Sequence, residues 1–375
     1  MIKNLFYTSL LLLLFTACGG TASTTDTIVL SSTDTAKEAL GKALFSDTSL
    51  SLTRLQSCAS CHNSTQAFID TRDSGVGGAV SIGDDGVSLG TRNAPMVTYA
   101  SFSPEFTQNR NGFVGGHFFD GRASNLTEQA KGPFLNSVEM QMPDAESVIA
   151  RILENSEYVA LFETLYGNDV FSDTTIAFEA LANAIATFEN ASSFATFDSK
   201  LDNVNAGTET LTTEEALGQQ LFRSNRCTTC HSNRGRNALF TNFRYENIGI
   251  PKNTIVLSLI GDQIDHGLLE NSAVTDTAQD GKFKVPSLRN VAVSAPYMHN
   301  GKFQNLKTVI HFYNTRDVSG AINPESGTGW ESSEISSNRI AGNRVGNLGL
   351  SDVEEDAIVA FLKTLTDARY ESLIP

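Results

Sequence analysis

Cys58-Ala59-Ser60-Cys61-His62 and Cys227-Thr228-Thr229-Cys230-His231 are the two stretches that decide this chain. Each has the spacing of a c-type haem attachment site. Two thiols reach the two vinyl groups on one porphyrin edge, and the next residue sets an imidazole under the iron. Cys58, Cys61, Cys227 and Cys230 are therefore read as covalent anchors of two haem c groups, with His62 and His231 as proximal iron ligands. Zinc or disulfide Cys-x-x-Cys pairs are the alternative, but they leave the histidine directly after both pairs unexplained.

The N-terminus fits this chemistry, because haem c is attached outside the cytoplasm. Lys3 supplies a positive charge, Leu10 to Phe15 an apolar run, and Thr16-Ala17 small residues before Cys18, which reads as a signal peptide over residues 1–17. The run is too short to span a membrane. Phe15-Thr16-Ala17-Cys18 resembles a bacterial lipobox, which makes Cys18 a lipidation site and residues 18–34 a flexible tether; a plain cleaved signal is the alternative. Of five cysteines, four then serve haem and one lipid, leaving none for a structural disulfide. The expected location is the periplasm or cell envelope of a bacterium, on a lipid anchor. A formal charge of −15 argues against nucleic acid as a partner and suits a soluble domain.

An internal repeat marks the organisation. Glu38-Ala-Leu-Gly-Lys-Ala-Leu-Phe45 precedes the first attachment site and Glu215-Ala-Leu-Gly-Gln-Gln-Leu-Phe222 the second, both with apolar residues at helical spacing. Thr212-x-x-Glu215 and Ser351-x-x-Glu354 are capping boxes. Asp144 to Leu165 and Asp173 to Phe197 also show helical periodicity, and Ala206 to Leu211 reads as a linker. Thr71 to Gly116 and Thr315 to Leu350 read as long loops, of the kind that wrap a cofactor. The expected fold is mostly α: two cytochrome c-like haem domains, residues 35–205 and 206–375, with long loops.

From about Glu38 onward the chain resembles the bacterial di-haem cytochrome c peroxidase and MauG family. The motifs are Ser57-Cys-Ala-Ser-Cys-His-Asn63, Arg92-Asn-Ala-Pro95, Phe119-Asp-Gly-Arg-Ala123, Glu128-Gln-Ala-Lys-Gly-Pro133, Asn136-Ser-Val-Glu-Met140, Phe283-Lys-Val-Pro-Ser-Leu-Arg-Asn290 and Ala295-Pro-Tyr-Met-His-Asn-Gly301. The resemblance implies that the N-terminal haem is peroxidatic and that the C-terminal haem takes electrons from an external donor. It implies Glu139 as the acid–base residue that moves a proton between the peroxide oxygens, and Gln129 as the residue that orients peroxide or water. It implies Asn93, Ser294 and Pro296 as ligands of one calcium ion, a hard cation suited to oxygen donors. Arg122 and Arg289 are candidates to neutralise haem propionates, with salt bridges as the alternative. His299 is expected to support the second haem pocket by hydrogen bonding, and His266 and His311 to be loop and surface histidines. Relatives are often dimers, so a homodimer is an option.

Three positions depart from the peroxidase pattern. Ser81-Ile-Gly-Asp-Asp-Gly86 places Asp84 or Asp85 where many relatives have a histidine that caps the peroxidatic iron, with His117 as the alternative cap. Tyr313 stands where peroxidases place a methionine ligand to the C-terminal haem, and MauG-like members use tyrosine there. A phenolate favours the oxidised iron and lowers the potential relative to a thioether; Met298 is the alternative ligand. Phe119 replaces a tryptophan that relatives use as an electron relay.

The expected activity is reduction of hydrogen peroxide to water, with electrons from a small cytochrome c or cupredoxin. Two alternatives stand beside it: a MauG-like oxidase that modifies a partner protein through a high-valent iron state, and a non-catalytic electron-transfer lipoprotein.

Overall fold

A computed structural model describes residues 32–375, so the expected signal peptide, most of the expected tether and Cys18 lie outside the described residues. Two helix crossings organise what is described. Helix α1 (Ser32–Ser46) is followed by the short α2 (Cys58–Cys61), then α3 (Leu126–Leu135), α4 (Ala145–Leu153), α5 (Ser156–Tyr166) and α6 (Thr174–Glu189). Helices α7 (Lys200–Ala206), α8 (Thr213–Ser224), α9 (Thr254–Ile260), α10 (Leu306–Thr315) and α11 (Asp352–Lys363) complete the set.

Helix α1 crosses α6, and α8 crosses α11 in the same manner. Each crossing turns on a glycine from the sequence repeat. A Cβ at Gly41 would stand 1.9 Å from the Ala184 carbonyl oxygen, and one at Gly218 would stand 1.8 Å from that of Ala357. The helices touch backbone to backbone there, which only a residue without a side chain allows. Leu40, Leu44, Phe45, Phe162, Leu181 and Ile185 bury around the first crossing. Phe222, Phe240, Phe303, Phe312, Ile358 and Phe361 bury around the second.

Both capping boxes form as the sequence predicts, at Thr212 with Glu215 and at Ser351 with Glu354. The periodicity from Asp144 to Leu165 resolves into two helices. Asn155 breaks it by accepting hydrogen bonds from the Glu157 and Tyr158 amides, so it caps α5. Helix α6 ends at Glu189 rather than near Phe197, with a separate short turn at Ser192–Phe194. Leu201 of α7 packs in the second cluster, and its amide donates to Thr364 O, so the second body of side chains begins before the predicted linker.

Sheet is confined to three antiparallel ribbons of two strands among the described residues. β1 (Thr107–Asn109) pairs β2 (Gly112–Val114), β3 (Tyr245–Glu246) pairs β4 (Phe283–Lys284), and β5 (Ile322–Asn323) pairs β6 (Thr328–Gly329). The long loops otherwise stay irregular and fold over the helices. Residues near 370 return to the first half: Tyr370 donates from its hydroxyl to Ser64 O and packs with Ala67 and Val293. No helix of the described residues is long and apolar enough to cross a membrane.

Candidate functional site

Both attachment histidines are oriented by a backbone carbonyl. His62 Nδ1 lies 3.1 Å from Phe68 O, and His231 Nδ1 lies 2.9 Å from Phe240 O. A carbonyl only accepts, so Nδ1 carries the proton and Nε2 keeps its lone pair for a metal. Burial lowers the pKa of both rings, to about 4 for His231, so both are neutral at pH 7. Phe68 and Phe240 hold the left-handed region, at φ 58° and 54°, which is costly for bulky residues. The two sites repeat that strained turn, and it aims each carbonyl at its imidazole.

Cys58, Cys61 and His62 share one cavity of about 710 Å³ with Cys227, Cys230 and His231. Its walls are mainly apolar. Among the described residues no group of three or more His, Cys, Asp or Glu converges as a small metal ion would require. Paired thiols beside an imidazole with a free Nε2, opening on a large apolar cavity, fit haem c at both sites.

On the first site the cavity wall carries Glu139 and Gln129. Gln129 projects from α3, whose N-terminus Asn125 caps through the Glu128 amide. Glu139 sits in the turn after α3, and its carboxylate accepts from Asn136 Nδ2 at 2.6 Å. Burial raises the Glu139 pKa, and Arg122 and Asn136 only partly oppose it. Arg122 lines the same cavity, lies over the Phe118 ring at 3.7 Å and pairs with Asp120 at 2.7 Å.

On the second site Tyr313 projects from α10 into the cavity with Met298 nearby on the wall. Burial raises the Tyr313 phenol above its usual range. Helix α10 is tied to α11 by Glu355, 1% exposed, which accepts from Asn314 Nδ2 at 2.6 Å and lies 2.9 Å from His311 Nδ1. His311 is thus a helix clamp and not a plain surface histidine, whereas His266 is exposed and pairs with Asp280.

Several predicted residues lie elsewhere. Asp84 is buried, but its carboxylate is taken by Ser51 Oγ at 2.6 Å and by the Thr53 and Leu55 amides. Asp85 accepts from Val87 and Ser88 in its own turn. Both close the loop on itself, and neither lines the cavity. His117 does line it, buried and held neutral with a pKa of about 4 by burial and by Lys284. Arg289 is a correction: it is 1% exposed and off the cavity wall, with its guanidinium committed to Asp202, Ser199 and Ala238 O. Asp202 on α7 offers it a bidentate partner, so the salt-bridge alternative is what forms. Among the described residues His299 Nε2 has no hydrogen-bond partner; the ring instead stacks on Phe283 at 3.5 Å. Phe119, Asn93, Ser294 and Pro296 all line the cavity. Asn93 Nδ2 donates to Ala79 O at 3.1 Å, and its Oδ1 accepts no hydrogen bond among the described residues.

The sequence reading missed Glu189. It ends α6, is 5% exposed and lines the cavity beside Cys58, and its carboxylate makes no hydrogen bond among the described residues. A signal was present. Ala184-Ile-Ala-Thr-Phe-Glu189 repeats as Ala357-Ile-Val-Ala-Phe-Leu362, so a carboxyl stands at one site where leucine stands at the other. Burial raises the Glu189 pKa from 4.5 to about 8. The folded protein therefore holds a proton that the unfolded chain has lost, and stability falls as pH rises from 4.5 through 8. Glu189→Gln should flatten this decline: melting followed by calorimetry from pH 5 to 8.5 should show a smaller drop in Tm than the parent. An unchanged slope would place the titration elsewhere.

The family model for di-haem cytochrome c peroxidase matches residues 35–210. The methylamine utilization protein MauG of Paracoccus denitrificans is 46% identical over 352 residues, covering 91% of each chain. The cytochrome c551 peroxidase of Pseudomonas aeruginosa is 31% identical over 292 residues, covering 76% of this chain and 74% of its own. The crystal structure of the diheme peroxidase BthA from Burkholderia thailandensis superposes with a TM-score of 0.79 at 30% identity, covering 90% of this chain and 88% of that one. Two Cys-x-x-Cys-His sites opening on one cavity, and these relatives over nearly the whole described length, show that the chain is an oxidoreductase of the di-haem cytochrome c peroxidase and MauG family, with two haem c groups as its cofactors.

Proposed function

We propose that the chain reduces hydrogen peroxide to water at its N-terminal site, with electrons that a small cytochrome c or cupredoxin delivers to its C-terminal site. The carrying observation is that Glu139, a carboxyl with a raised pKa, and Gln129 line the wall of the cavity that holds Cys58, Cys61 and His62. Two cytochrome c-like units, the second beginning by Leu201 of α7, would each hold one haem. Haem c, when bound, supplies an iron that binds peroxide and exchanges electrons.

The protein groups do the proton work. Gln129 orients peroxide by hydrogen bonding. The Glu139 carboxylate takes the proton from one peroxide oxygen and gives it to the other, so the leaving oxygen departs as water and not as hydroxide. Two electrons and two further protons complete the balance to two waters. Asn93 Oδ1, with the carbonyls of Ser294 and Pro296, would hold a calcium ion by oxygen donors alone. Export and a lipid anchor on Cys18 belong to the same reading.

One observation favours the MauG-like alternative, in which a partner protein is the electron source. Tyr313 lines the second site, and a phenolate ligand disfavours ready acceptance of electrons. The test is stopped-flow spectroscopy of the resting holoprotein with one equivalent of peroxide, with and without a reduced cytochrome. Steady turnover of the cytochrome supports the peroxidase. No turnover, with a long-lived spectral change that Tyr313→Phe abolishes, supports the alternative.

A further inference from the structure

The two attachment sites differ in the charge set against their second sulfur. Arg72 Nη2 lies 3.0 Å from Cys61 Sγ. The guanidinium is fixed by Asp70 through Nε at 3.0 Å and Nη2 at 2.7 Å, by Gln56 Oε1 at 3.1 Å and by Ile82 O at 2.9 Å. At the other site Arg344 Nη2 lies 3.7 Å from Cys230 Sγ, and Glu246 Oε1 lies 3.9 Å from the same sulfur. Cys61 thus meets a cation in contact, whereas Cys230 meets a cation and an anion at nearly equal range.

In a partly buried site such differences act over a reduced dielectric. A nearby positive charge stabilises whichever state of a redox centre holds the extra electron. Covalent attachment brings the haem to these sulfurs, so it shares their surroundings.

We propose that Arg72 is a positioning residue for electrons: it raises the reduction potential of the N-terminal haem relative to the C-terminal one, so that an electron entering the protein comes to rest beside Cys61. The Arg344–Glu246 pair supplies no such bias at Cys230. Direction is thereby built into the protein beside the two thioethers, in addition to any effect of Tyr313. The inference rests on the two haem c groups of the family and not on the peroxidase reading.

Spectroelectrochemical titration of the holoprotein at pH 7 tests it. Arg72→Gln should shift the equilibrium sharing of one electron at least tenfold toward the C-terminal haem, about 59 mV for a one-electron couple. Arg72→Lys should restore most of that shift, and Arg344→Gln should leave the N-terminal potential in place. An unchanged N-terminal potential in Arg72→Gln with both haems attached overturns the proposal, as does an equal fall in Arg72→Lys. If Arg72→Gln fails to retain haem, Asp70→Asn decides: leaving Arg72 uncompensated should raise the N-terminal potential, and no rise overturns the assignment. Peroxide turnover can be lost without touching this result, since potentials are read without peroxide.

Discussion

Glu139→Gln should lower peroxide turnover by about 10²–10⁴-fold while both haem c groups remain attached, the range that removal of a general acid–base residue spans. Glutamine keeps the size of the side chain and a hydrogen bond to Asn136, but it cannot take up and return a proton. The effect should fall on kcat/KM for peroxide, measured by oxidation of a reduced small cytochrome. Burial raises the pKa of Glu139, so the carboxylate required as base is lost as pH falls through that raised value. The parent should therefore lose kcat/KM at acid pH, and the residual rate of Glu139→Gln should lack that limb. A variant that retains the parental rate, with haem content unchanged, would remove Glu139 from the chemistry.

The second large effect is structural. Gly218→Ala places a methyl 1.8 Å from the Ala357 carbonyl oxygen and 2.9 Å from Phe361 Cβ. Neither is a flexible tip that swings aside: the first is the backbone of α11, and the second is rooted in it. The crossing of α8 on α11 must open, at a cost of about 3 kcal/mol or more, the upper part of the range for overpacked cores. The expected outcome is a fall of several degrees in Tm, with less than full haem at Cys227 and Cys230 as scored by mass spectrometry. Gly41→Ala should do the same at the first site through Ala184, with the loss moving to Cys58 and Cys61. Equal loss at both sites in either variant would show that the crossings do not support their own haems separately.

The parts legible in the sequence were those that local chemistry dictates. A Cys-x-x-Cys-His pentapeptide needs no tertiary context, and a capping box such as Thr212 with Glu215 is satisfied within one turn. Parts that depend on distant partners were not legible. Arg289 sits in a motif that suggests a propionate, but Asp202 reaches it across 87 residues of chain. Asp84 takes the place of an iron cap in sequence, but Ser51 and Thr53 claim its oxygens in space. The helix break at Asn155 was hidden because apolar periodicity runs through it, and only the side-chain cap ends the turn. Phe68 and Phe240 gave no warning of a left-handed backbone, since bulky residues rarely adopt it. Glu189 is the instructive miss, because the repeat that reveals it, with Leu362 as counterpart, was visible in the letters.

The contact between Tyr370 and Ser64 has a bearing on how the protein is made. The two residues are 306 positions apart, and the hydroxyl of one holds the loop that follows the first attachment pentapeptide. That loop also carries Phe68, whose carbonyl orients His62. A ribosome completes the first pentapeptide long before it reaches Tyr370, so the loop waits for nearly the whole chain before its last tie can form. Until that tie forms, Cys58 and Cys61 stand on an unfinished wall. Long-range closure of this kind slows folding. The wall beside the first pentapeptide is thereby tied to the far end of the chain and closes only once that end is in place.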